Sequence, residues 1–302
     1  MKILIIDIDS KIPNYALKKV EKYHLDKGDE VIWNMPLYRH LADKVYVSCV
    51  FKKNEYKCYD YMDDDKCLIG GSGYSLSVTL PDEIETVKPR INLGFTTRGC
   101  VRNCEFCIVP QKEGKIKAEA DIYDLWDGKS KEIILMDNNI LALPEHFYLI
   151  SRQLQKENLK VDFNQGLDFR LLTEEIWNEL NKLKHLNEIR FAFDYIQYKD
   201  KVIEKLELMK KVGLKDWKTR WYVYVGEKDN FDTVFERLMI LKKYKQGAYV
   251  MRDEKVYNVP EFVALAQYAN TMGAFKFDFY EVMNKSKKLR HYAKAIPKWI
   301  LI

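Results

Sequence analysis

Three cysteines within eight residues constrain this chain more than any other feature of its sequence. Cys100, Cys104 and Cys107 follow a C-x3-C-x2-C spacing. The whole 302-residue chain has only six cysteines, so this local density does not reflect composition. Thiolates this close together in sequence usually bind a metal, because soft metal ions bind several thiolate ligands at one site. The spacing therefore predicts a metal centre on the loop of residues 100–107.

The number of available ligands separates two kinds of metal centre. A structural zinc site has four protein ligands, commonly in two pairs, and no fourth cysteine or histidine follows Cys107 nearby. Three thiolates on a cubane iron-sulfur cluster instead leave one iron without a protein ligand, where a small molecule can bind. The triplet therefore favours a 4Fe-4S cluster. The alternative is a chance grouping of cysteines in a loop.

This motif, with the aromatic Phe106 directly before its last cysteine, resembles the signature of the radical S-adenosylmethionine (SAM) enzymes. The lead-in, residues 94–100, resembles the branch that carries a cobalamin-binding-like domain in front. The resemblance implies that Cys100, Cys104 and Cys107 bind a 4Fe-4S cluster, that SAM binds the open iron, and that Phe106 lies against the adenine of SAM. It also implies reductive cleavage to a 5'-deoxyadenosyl radical, driven by an external electron donor of the flavodoxin or ferredoxin type.

Length and composition predict a globular protein with room for two domains. Apolar residues make up 47% of the chain, which is enough for a substantial core. The first apolar run is short and is broken by Asp7 and Asp9, unlike a signal peptide, and no apolar run is long enough to span a membrane. We therefore expect a cytoplasmic protein without membrane contact, whose cysteines are thiols or metal ligands rather than disulfides.

Residues 1–80 predict a small, doubly wound α/β domain of the Rossmann or flavodoxin-like kind. The apolar run 2–8 is typical of a buried parallel strand, and the amphipathic stretch 16–27 ends at Gly28 like a glycine-capped helix. Further apolar runs predict strands at residues 31–33, 44–51 and 67–71. This order of elements resembles a truncated cobalamin-binding module.

Two features of this domain bear on cobalamin as a cofactor, and the missing helix matters more than the missing histidine, whose absence alone decides little. Residues 51–66, where a full helix would cover the corrin ring, are short and contain four aspartates. No histidine lies between the first strand and its helix to ligate cobalt from below. We therefore expect the domain to be structural.

Three further cysteines, Cys49, Cys58 and Cys67, are spaced nine residues apart in the first domain. One interpretation is an auxiliary iron-sulfur cluster, as in enzymes that resemble the methylthiotransferases. However, Cys49 and Cys67 lie in apolar runs, and free cysteine is among the most often buried residues. The methylthiotransferases also space their cysteines more widely. The sequence therefore favours buried thiols over a second cluster.

From residue 91 onward the sequence alternates strands and helices, after a linker at residues 74–90. Six repeats in register predict a parallel, right-handed, partial (β/α)6 barrel over residues 81–272. Radical SAM enzymes use such a barrel, and their cysteine loop likewise follows its first strand. The predicted strands lie near residues 91–96, 131–137, 160–166, 188–194, 217–226 and 247–252, and the predicted helices at about 118–127, 144–157, 173–184, 198–212, 230–245 and 258–272.

The carboxyl ends of these strands contain candidate ligands, because side chains and helix N-termini converge there in parallel α/β folds. The resemblance implies that Asp137, Asn138 and Asn139 bind the methionyl amine of SAM, whereas a simple turn is the alternative. Asp168 and Arg170 either serve the site or pair with each other. The candidates at the later strand ends, for cofactor or substrate, are Gln165, Asp168, Asp194 and Gly226.

Residues 273–302 form a basic, aromatic tail. They contain seven Lys or Arg against two acidic residues, a net charge of +5 that equals the charge of the whole chain. Such a mixture suits single-stranded nucleic acid, because cations neutralise phosphates while aromatic rings stack on bases. An amphipathic helix closing the barrel would have a similar composition. The aromatic residues are Phe275, Phe277, Phe279, Tyr280, Tyr292 and Trp299, and the basic residues are Lys276, Lys285, Lys287, Lys288, Arg290, Lys294 and Lys298.

Together these features predict an enzyme that cleaves SAM reductively and uses the radical on a substrate. The tail alone favours a nucleotide or nucleic acid as that substrate. The rival hypothesis is a non-catalytic iron-sulfur or nucleic-acid-binding protein that has retained the fold.

Overall fold

The computed structural model describes residues 1–285. Over these residues the chain is mixed α/β with parallel sheets, which confirms the predicted class at that level. The chain divides into two compact units, the first comprising Met1–Met136 and the second beginning at Asp137. The domain boundaries predicted near residues 80 and 272 stay predictions.

The first unit begins with the strands and helix that the sequence predicts. Its strands are β1 (Lys2–Asp7), β2 (Glu30–Trp33), β3 (Lys44–Ser48), β4 (Cys67–Gly70), β5 (Leu93–Gly94), β6 (Thr97–Arg98), β7 (Lys117–Ala118) and β8 (Glu132–Leu135). Its α-helices are α1 (Tyr15–Asp26), α2 (Asp82–Glu85), α3 (Val109–Glu113) and α4 (Ile122–Leu125), and 3₁₀ helices span Pro36–Leu41 and Lys52–Tyr61.

A four-stranded parallel sheet in the order β2-β1-β3-β4 forms the core of this unit. Both faces of the sheet are covered, and successive residues of β1 therefore enter different clusters. Ile3 and Ile5 pack with Leu17 of α1 and Ile84 of α2, while Leu4 packs in a second cluster with side chains from the 3₁₀ segment Lys52–Tyr61. This strand order and two-sided coverage are typical of doubly wound domains.

The connection between β3 and β4 lacks a full α-helix, as predicted. The 3₁₀ helix Lys52–Tyr61 takes its place, and the carboxylate of Asp9 anchors its start. Asp9 accepts hydrogen bonds from the backbone N–H groups of Val50 (2.8 Å) and Phe51 (3.0 Å). Although burial opposes the effect, these hydrogen bonds hold the pKa of Asp9 below its usual value. The charged carboxylate therefore stabilises the turn that replaces the helix.

The remainder of the first unit contains a short parallel pair and a hairpin. β5 pairs with β8 in parallel, and β6 pairs with β7 in antiparallel fashion. The helix predicted at 118–127 is shorter than expected and comprises only α4. A capping box at Asp121 delays its start, and extended backbone at Trp126 ends it.

The second unit follows the predicted alternation closely. Its strands are β9 (Lys160–Phe163), β10 (Lys184–His185), β11 (Ile189–Ala192), β12 (Thr219–Val225) and β13 (Gly247–Arg252). Its α-helices are α5 (Pro144–Lys156), α6 (Glu174–Lys182), α7 (Lys199–Val212), α8 (Phe231–Lys243), α9 (Pro260–Asn270), α10 (Met272–Phe275) and α11 (Phe279–Lys285). Short 3₁₀ helices span Ile140–Ala142, Phe169–Leu171, Ile196–Tyr198 and Glu254–Val256.

Parallel pairing dominates the second unit. β9 pairs with β10, and β11, β12 and β13 form a three-stranded sheet in sequence order. A single bridge between Leu167 and Phe191 joins the segment after β9 to β11. Along β12, Trp221, Val223 and Val225 are buried while the intervening residues are not. The sheet therefore buries one face against the core.

The start of the predicted tail is part of this core rather than a free aromatic surface. Phe275 in α10 and Phe279 in α11 are buried, and both rings contact Tyr268 of α9. Of the two alternatives for the tail, these two rings follow the packed helix rather than base stacking, because their apolar area is already packed against α9. Phe277, by contrast, is 61% exposed. Seven of the predicted tail residues lie outside the described residues: Lys287, Lys288, Arg290, Tyr292, Lys294, Lys298 and Trp299.

None of the helices in residues 1–285 combines the length and the apolarity that crossing a membrane requires.

Candidate functional site

The cysteine loop in the first unit is closed at its base by a hairpin and an ion pair. Thr97 and Arg98 of β6 pair with Ala118 and Lys117 of β7, so the chain leaves and re-enters at adjacent points. The Nε of Arg98 lies 2.7 Å from a carboxylate oxygen of Glu113, which ties β6 to α3. Above this base, the N–H of Cys100 donates to the carbonyl of Gly114 at 3.2 Å. The loop therefore has a defined anchor on both sides.

The three thiols on this loop have the chemistry that an iron-sulfur cluster requires of its donors. Cys100, Cys104 and Cys107 lie outside any disulfide and are each intermediate in exposure, so they are neither sealed in the core nor fully solvated. The backbone N–H of Arg102 donates to Sγ of Cys100 at 3.3 Å, a contact of the kind that tunes cluster potentials. The donor set therefore fits a 4Fe-4S cluster.

Within the described residues, these thiols do not form a complete metal-binding site. Among residues 1–285, no group of three or more His, Cys, Asp or Glu side chains is positioned to hold a metal ion. The role of Cys100, Cys104 and Cys107 as cluster ligands thus stays a prediction from their spacing.

Gly99 sets the direction in which the chain enters the loop. Its φ is +82°, and a Cβ placed there would lie 2.4 Å from the carbonyl oxygen of Lys115. Neither the left-handed conformation nor the contact with backbone tolerates a side chain. Only glycine therefore allows the loop to start so close to its other end.

Replacement of Gly99 by alanine should destabilise the first unit more than the same change at Gly128. Gly128 has a similar φ of +80°, but nothing lies within 4 Å of its added Cβ. Gly128→Ala should lose only the roughly 1–2 kcal/mol of left-handed strain, whereas Gly99→Ala adds a backbone collision. Urea unfolding of both variants measures the difference, and equal losses would show that the close approach at Gly99 is unimportant.

A first polar group in the second unit contains three residues that the sequence singles out. Asn139 is 2% exposed, and its side-chain amide donates to Oδ2 of Asp168 at 3.3 Å. Asp168 also receives Nε of Arg170 at 2.6 Å on Oδ1 and the second guanidinium nitrogen at 3.1 Å on Oδ2. Asp168 and Arg170 therefore pair with each other, which is one of the two alternatives that the sequence left open. Because Arg170 also lies over the ring of Tyr198 at 5.3 Å, both side chains are held in place.

A second polar group is organised by Arg237, a residue of α8 that sequence reasoning missed. Its side chain is completely buried. The guanidinium donates to the carbonyls of Phe193 (3.2 Å), Asp194 (2.6 Å) and Tyr224 (2.8 Å), and to the carboxylate of Asp229 at 2.5 Å. It thereby joins the carboxyl end of β11 to that of β12. The pattern of α8 contains the signal, since an arginine interrupts its otherwise apolar buried stripe.

Gly226 and Asp194, both predicted as ligands, lie within this second group. The N–H of Gly226 donates to Asp229 at 2.9 Å, which places the glycine against a carboxylate that Arg237 also holds. Oδ1 of Asp194 accepts the N–H of Tyr224 at 3.3 Å. Asp137 and Gln165, also predicted as ligands, differ in exposure, since Asp137 is 4% exposed whereas Gln165 is exposed.

Burial raises the pKa of Asp194 to about 6, because its hydrogen bond from Tyr224 and the nearby arginines do not offset lost hydration. The folded state therefore holds this proton more tightly than the unfolded state, whose value is 3.8. Between those two values the folded state binds more protons, so the contribution of Asp194 to stability falls as pH rises and is constant above about pH 6.

The isosteric variant Asp194→Asn should remove that dependence. The free energy of unfolding of the variant, relative to that of the natural chain, should increase between about pH 4 and pH 6 and then level off. For a pKa shift of this size, the total increase should be at most about 3 kcal/mol. Urea midpoints measured across that range provide the test. A difference that stays flat with pH would contradict the raised pKa of Asp194.

Cys49, Cys58 and Cys67 have a different environment from the three cysteines of the loop. Cys49 and Cys58 are completely buried in one apolar cluster, and Cys67 packs against it. Burial, together with the nearby Asp9, raises the pKa of Cys49 to about 12, and burial also raises the pKa of Cys58 and Cys67. These surroundings disfavour the thiolate that a metal needs, which supports the preference for buried thiols.

Comparison with known proteins does not place the chain in a family. No family model matches the sequence, and a search of curated proteins finds no match. A functional proposal therefore depends on the cysteine motif and on the geometry described above.

Proposed function

We propose that this chain is a radical SAM enzyme, with Cys100, Cys104 and Cys107 as the ligands of a 4Fe-4S cluster. The observation that carries the proposal is the placement of three thiols of intermediate exposure on one anchored loop that follows the parallel strand β5. Three ligands leave one iron open, which is what SAM chelation requires.

When bound, the cluster would supply one electron to the sulfonium of SAM, whose C5'–S bond breaks to give methionine and a 5'-deoxyadenosyl radical. The chain's own residues bind and orient the nucleotide. Phe106 is 37% exposed, and its ring is assigned to the adenine. Asp137, Asn138 and Asn139 are assigned to the methionyl amine, because carboxylate and amide oxygens accept hydrogen bonds from an ammonium group.

The other strand-end residues are assigned to the remainder of the cofactor and to the substrate. Asp168 is held by Arg170 and Asn139, so its carboxylate has a fixed orientation. Asp194 and Gly226 are held through Arg237 and Asp229, which places them at the carboxyl ends of β11 and β12. Gln165 is exposed, and it is assigned to contact the bound cofactor or substrate.

The proposal includes the partial (β/α)6 barrel predicted for residues 81–272. The parallel pairings of β5 with β8 and of β11 with β12 and β13 support it. It also includes a flavodoxin- or ferredoxin-type electron donor and a location in the cytoplasm. The proposal does not include cobalamin, because the helix that would cover the corrin ring is missing. It also does not include a second cluster at Cys49, Cys58 and Cys67, because burial raises the pKa of these thiols.

Anaerobic reconstitution with iron and sulfide tests the proposal. The protein should become brown and bind about four irons per chain, as one cluster requires. With dithionite and SAM it should then release 5'-deoxyadenosine and methionine. A colourless protein with stoichiometric zinc would contradict the cluster, and about eight irons would contradict the exclusion of a second one. A brown protein that forms no 5'-deoxyadenosine would favour the rival, a non-catalytic iron-sulfur protein.

A further inference from the structure

The 3₁₀ helix Lys52–Tyr61 in the first unit divides its side chains into three rows. A 3₁₀ helix has three residues per turn, so side chains at i and i+3 lie directly above one another. One row contains Cys58 and Tyr61, which are buried in the core cluster on one face of the sheet. The other two rows are mostly exposed to solvent. The helix therefore covers the sheet with one row and leaves two rows available to a partner.

The first exposed row is apolar. It contains Tyr56 and Tyr59 of the helix and Met62 directly after it, whose exposed fractions are 60%, 56% and 54%. Aromatic residues and methionine are enriched at protein–protein interfaces. In a doubly wound domain, a full α-helix normally covers the sheet at this position. Large apolar side chains that are more than half exposed therefore lie where the covering layer is thin.

The neighbouring 3₁₀ helix Pro36–Leu41 is joined to this segment by Arg39. Nε of Arg39 lies 2.8 Å from a carboxylate oxygen of Asp64, and the guanidinium also donates to the backbone carbonyl of Asp60. The neighbouring helix adds a further exposed apolar side chain, since Leu37 is 87% exposed. Because Arg39 holds the two segments together, their shared surface has a fixed shape before any partner binds.

The second exposed row has opposite charges at its two ends. Lys57 comes first, and Asp60 and Asp63 follow at intervals of three residues. Lys57 lies near the ring of Tyr56, at 5.8 Å, but among residues 1–285 none of these three charged side chains forms an ion pair. A row that changes from positive to negative repels a parallel copy of itself and attracts an antiparallel one. The charges therefore favour a second copy of the same row as the partner.

We propose that the two exposed rows bind the same rows of a second copy of this chain around a twofold axis. The residues of this dimer face are Tyr56, Lys57, Tyr59, Asp60, Met62 and Asp63.

The spacing of the charges selects the register of the two copies. A twofold axis between residues 58 and 59 brings Lys57 of each copy to Asp60 of the other, and it brings the two copies of Tyr59 together at the axis. Pairing Lys57 with Asp63 instead would place Asp60 against its own copy, which is repulsive. The dimer face lies outside the cysteine loop, so dimerisation does not depend on the proposed radical chemistry.

Sedimentation equilibrium of the full chain at micromolar concentrations tests for this dimer. The natural chain should dimerise, and Lys57→Asp should weaken dimerisation about tenfold, because the twofold axis replaces two attractive contacts by two repulsive ones. Asp60→Lys should weaken it to a similar extent. Lys22→Asp is the matched control, since it reverses an exposed charge on α1, which packs on the opposite face of the same sheet, and it should have no effect.

Mixing the two charge variants separates the dimer face from an effect on folding. In a mixed pair, the introduced carboxylate of one copy meets the introduced ammonium of the other, and the natural Lys57 and Asp60 also meet. The mixture should therefore dimerise like the natural chain, although neither variant does so alone. Tyr59→Ala provides a test that does not depend on charge, and it should also weaken dimerisation about tenfold. Tyr59→Phe retains the ring and should leave it unchanged.

Three results would each overturn the proposed dimer face. The first is a natural chain that stays monomeric at all concentrations measured. The second is a dimer that neither Lys57→Asp nor Tyr59→Ala weakens, since the chain would then associate through another surface. The third is a mixture of Lys57→Asp with Asp60→Lys that dimerises no better than either variant alone.

Discussion

Replacing any one of Cys100, Cys104 and Cys107 by serine is expected to abolish iron binding and SAM cleavage together. Serine retains the size of the side chain, but its hydroxyl is a far poorer ligand for iron than a thiolate. Loss of even an outer partner of a metal ligand costs about 10–100-fold in affinity or activity, so loss of a ligand should exceed a hundredfold. Iron content and 5'-deoxyadenosine formation are the two measurements.

Cys67→Ser is the matched control for these variants. Cys67 is also a free thiol of intermediate exposure in the first unit, but it lies in β4, outside the cysteine loop. It should retain full iron content and full 5'-deoxyadenosine formation. Retention of both properties by a variant of the loop cysteines would show that the corresponding thiol is not a ligand. Loss of both in Cys67→Ser would instead point to a cluster in the first domain.

Removal of the buried guanidinium of Arg237 should cause the largest loss of stability in the second unit. In Arg237→Met, three backbone carbonyls and the carboxylate of Asp229 lose the hydrogen bonds that Arg237 donates. Breaking a buried charge pair typically costs about 3–5 kcal/mol, because the remaining charge is left without its partner. We expect a loss of that size in urea unfolding, together with faster amide exchange in the peptides that contain β11 and β12.

Two further variants make the Arg237 prediction decisive. Arg237→Lys retains the charge, but a single ammonium cannot reach the four acceptors that the planar guanidinium serves, so it should restore only part of the stability. Lys245→Met removes a cation that pairs with Asp216 at 3.0 Å on the surface, and the change should be within about 0.5 kcal/mol. If Arg237→Met were as mild as Lys245→Met, the clamp between β11 and β12 would have no energetic role.

Most elements of the second unit could be predicted because local patterns specify them. The predicted helix 144–157 corresponds to α5, and the predicted strand 247–252 coincides with β13. Thr173, the residue directly before α6, caps that helix by accepting the N–H of Ile176 at 3.3 Å. Helix caps and hydrophobic periodicity depend on residues only a few positions apart, so they are visible in the sequence.

The sequence was least decisive where a pattern has more than one solution in three dimensions. The aromatic residues Phe275 and Phe279 suit base stacking and core packing equally well, and only α9 decides that they are buried. The helix predicted at 118–127 was too long because a capping box and extended backbone at its ends outweighed a weak periodicity. In each case a contact partner determined the outcome.

The sequence by itself determined the order of strands and helices and the presence of three thiols on one loop, because both are properties of neighbouring residues. Only the tertiary structure decided which polar groups meet. Asn139 reaches Asp168 across 29 positions, and Arg237 reaches the ends of β11 and β12 from α8. Such contacts depend on strand register and helix packing, and these are established only when distant segments bury their apolar faces together.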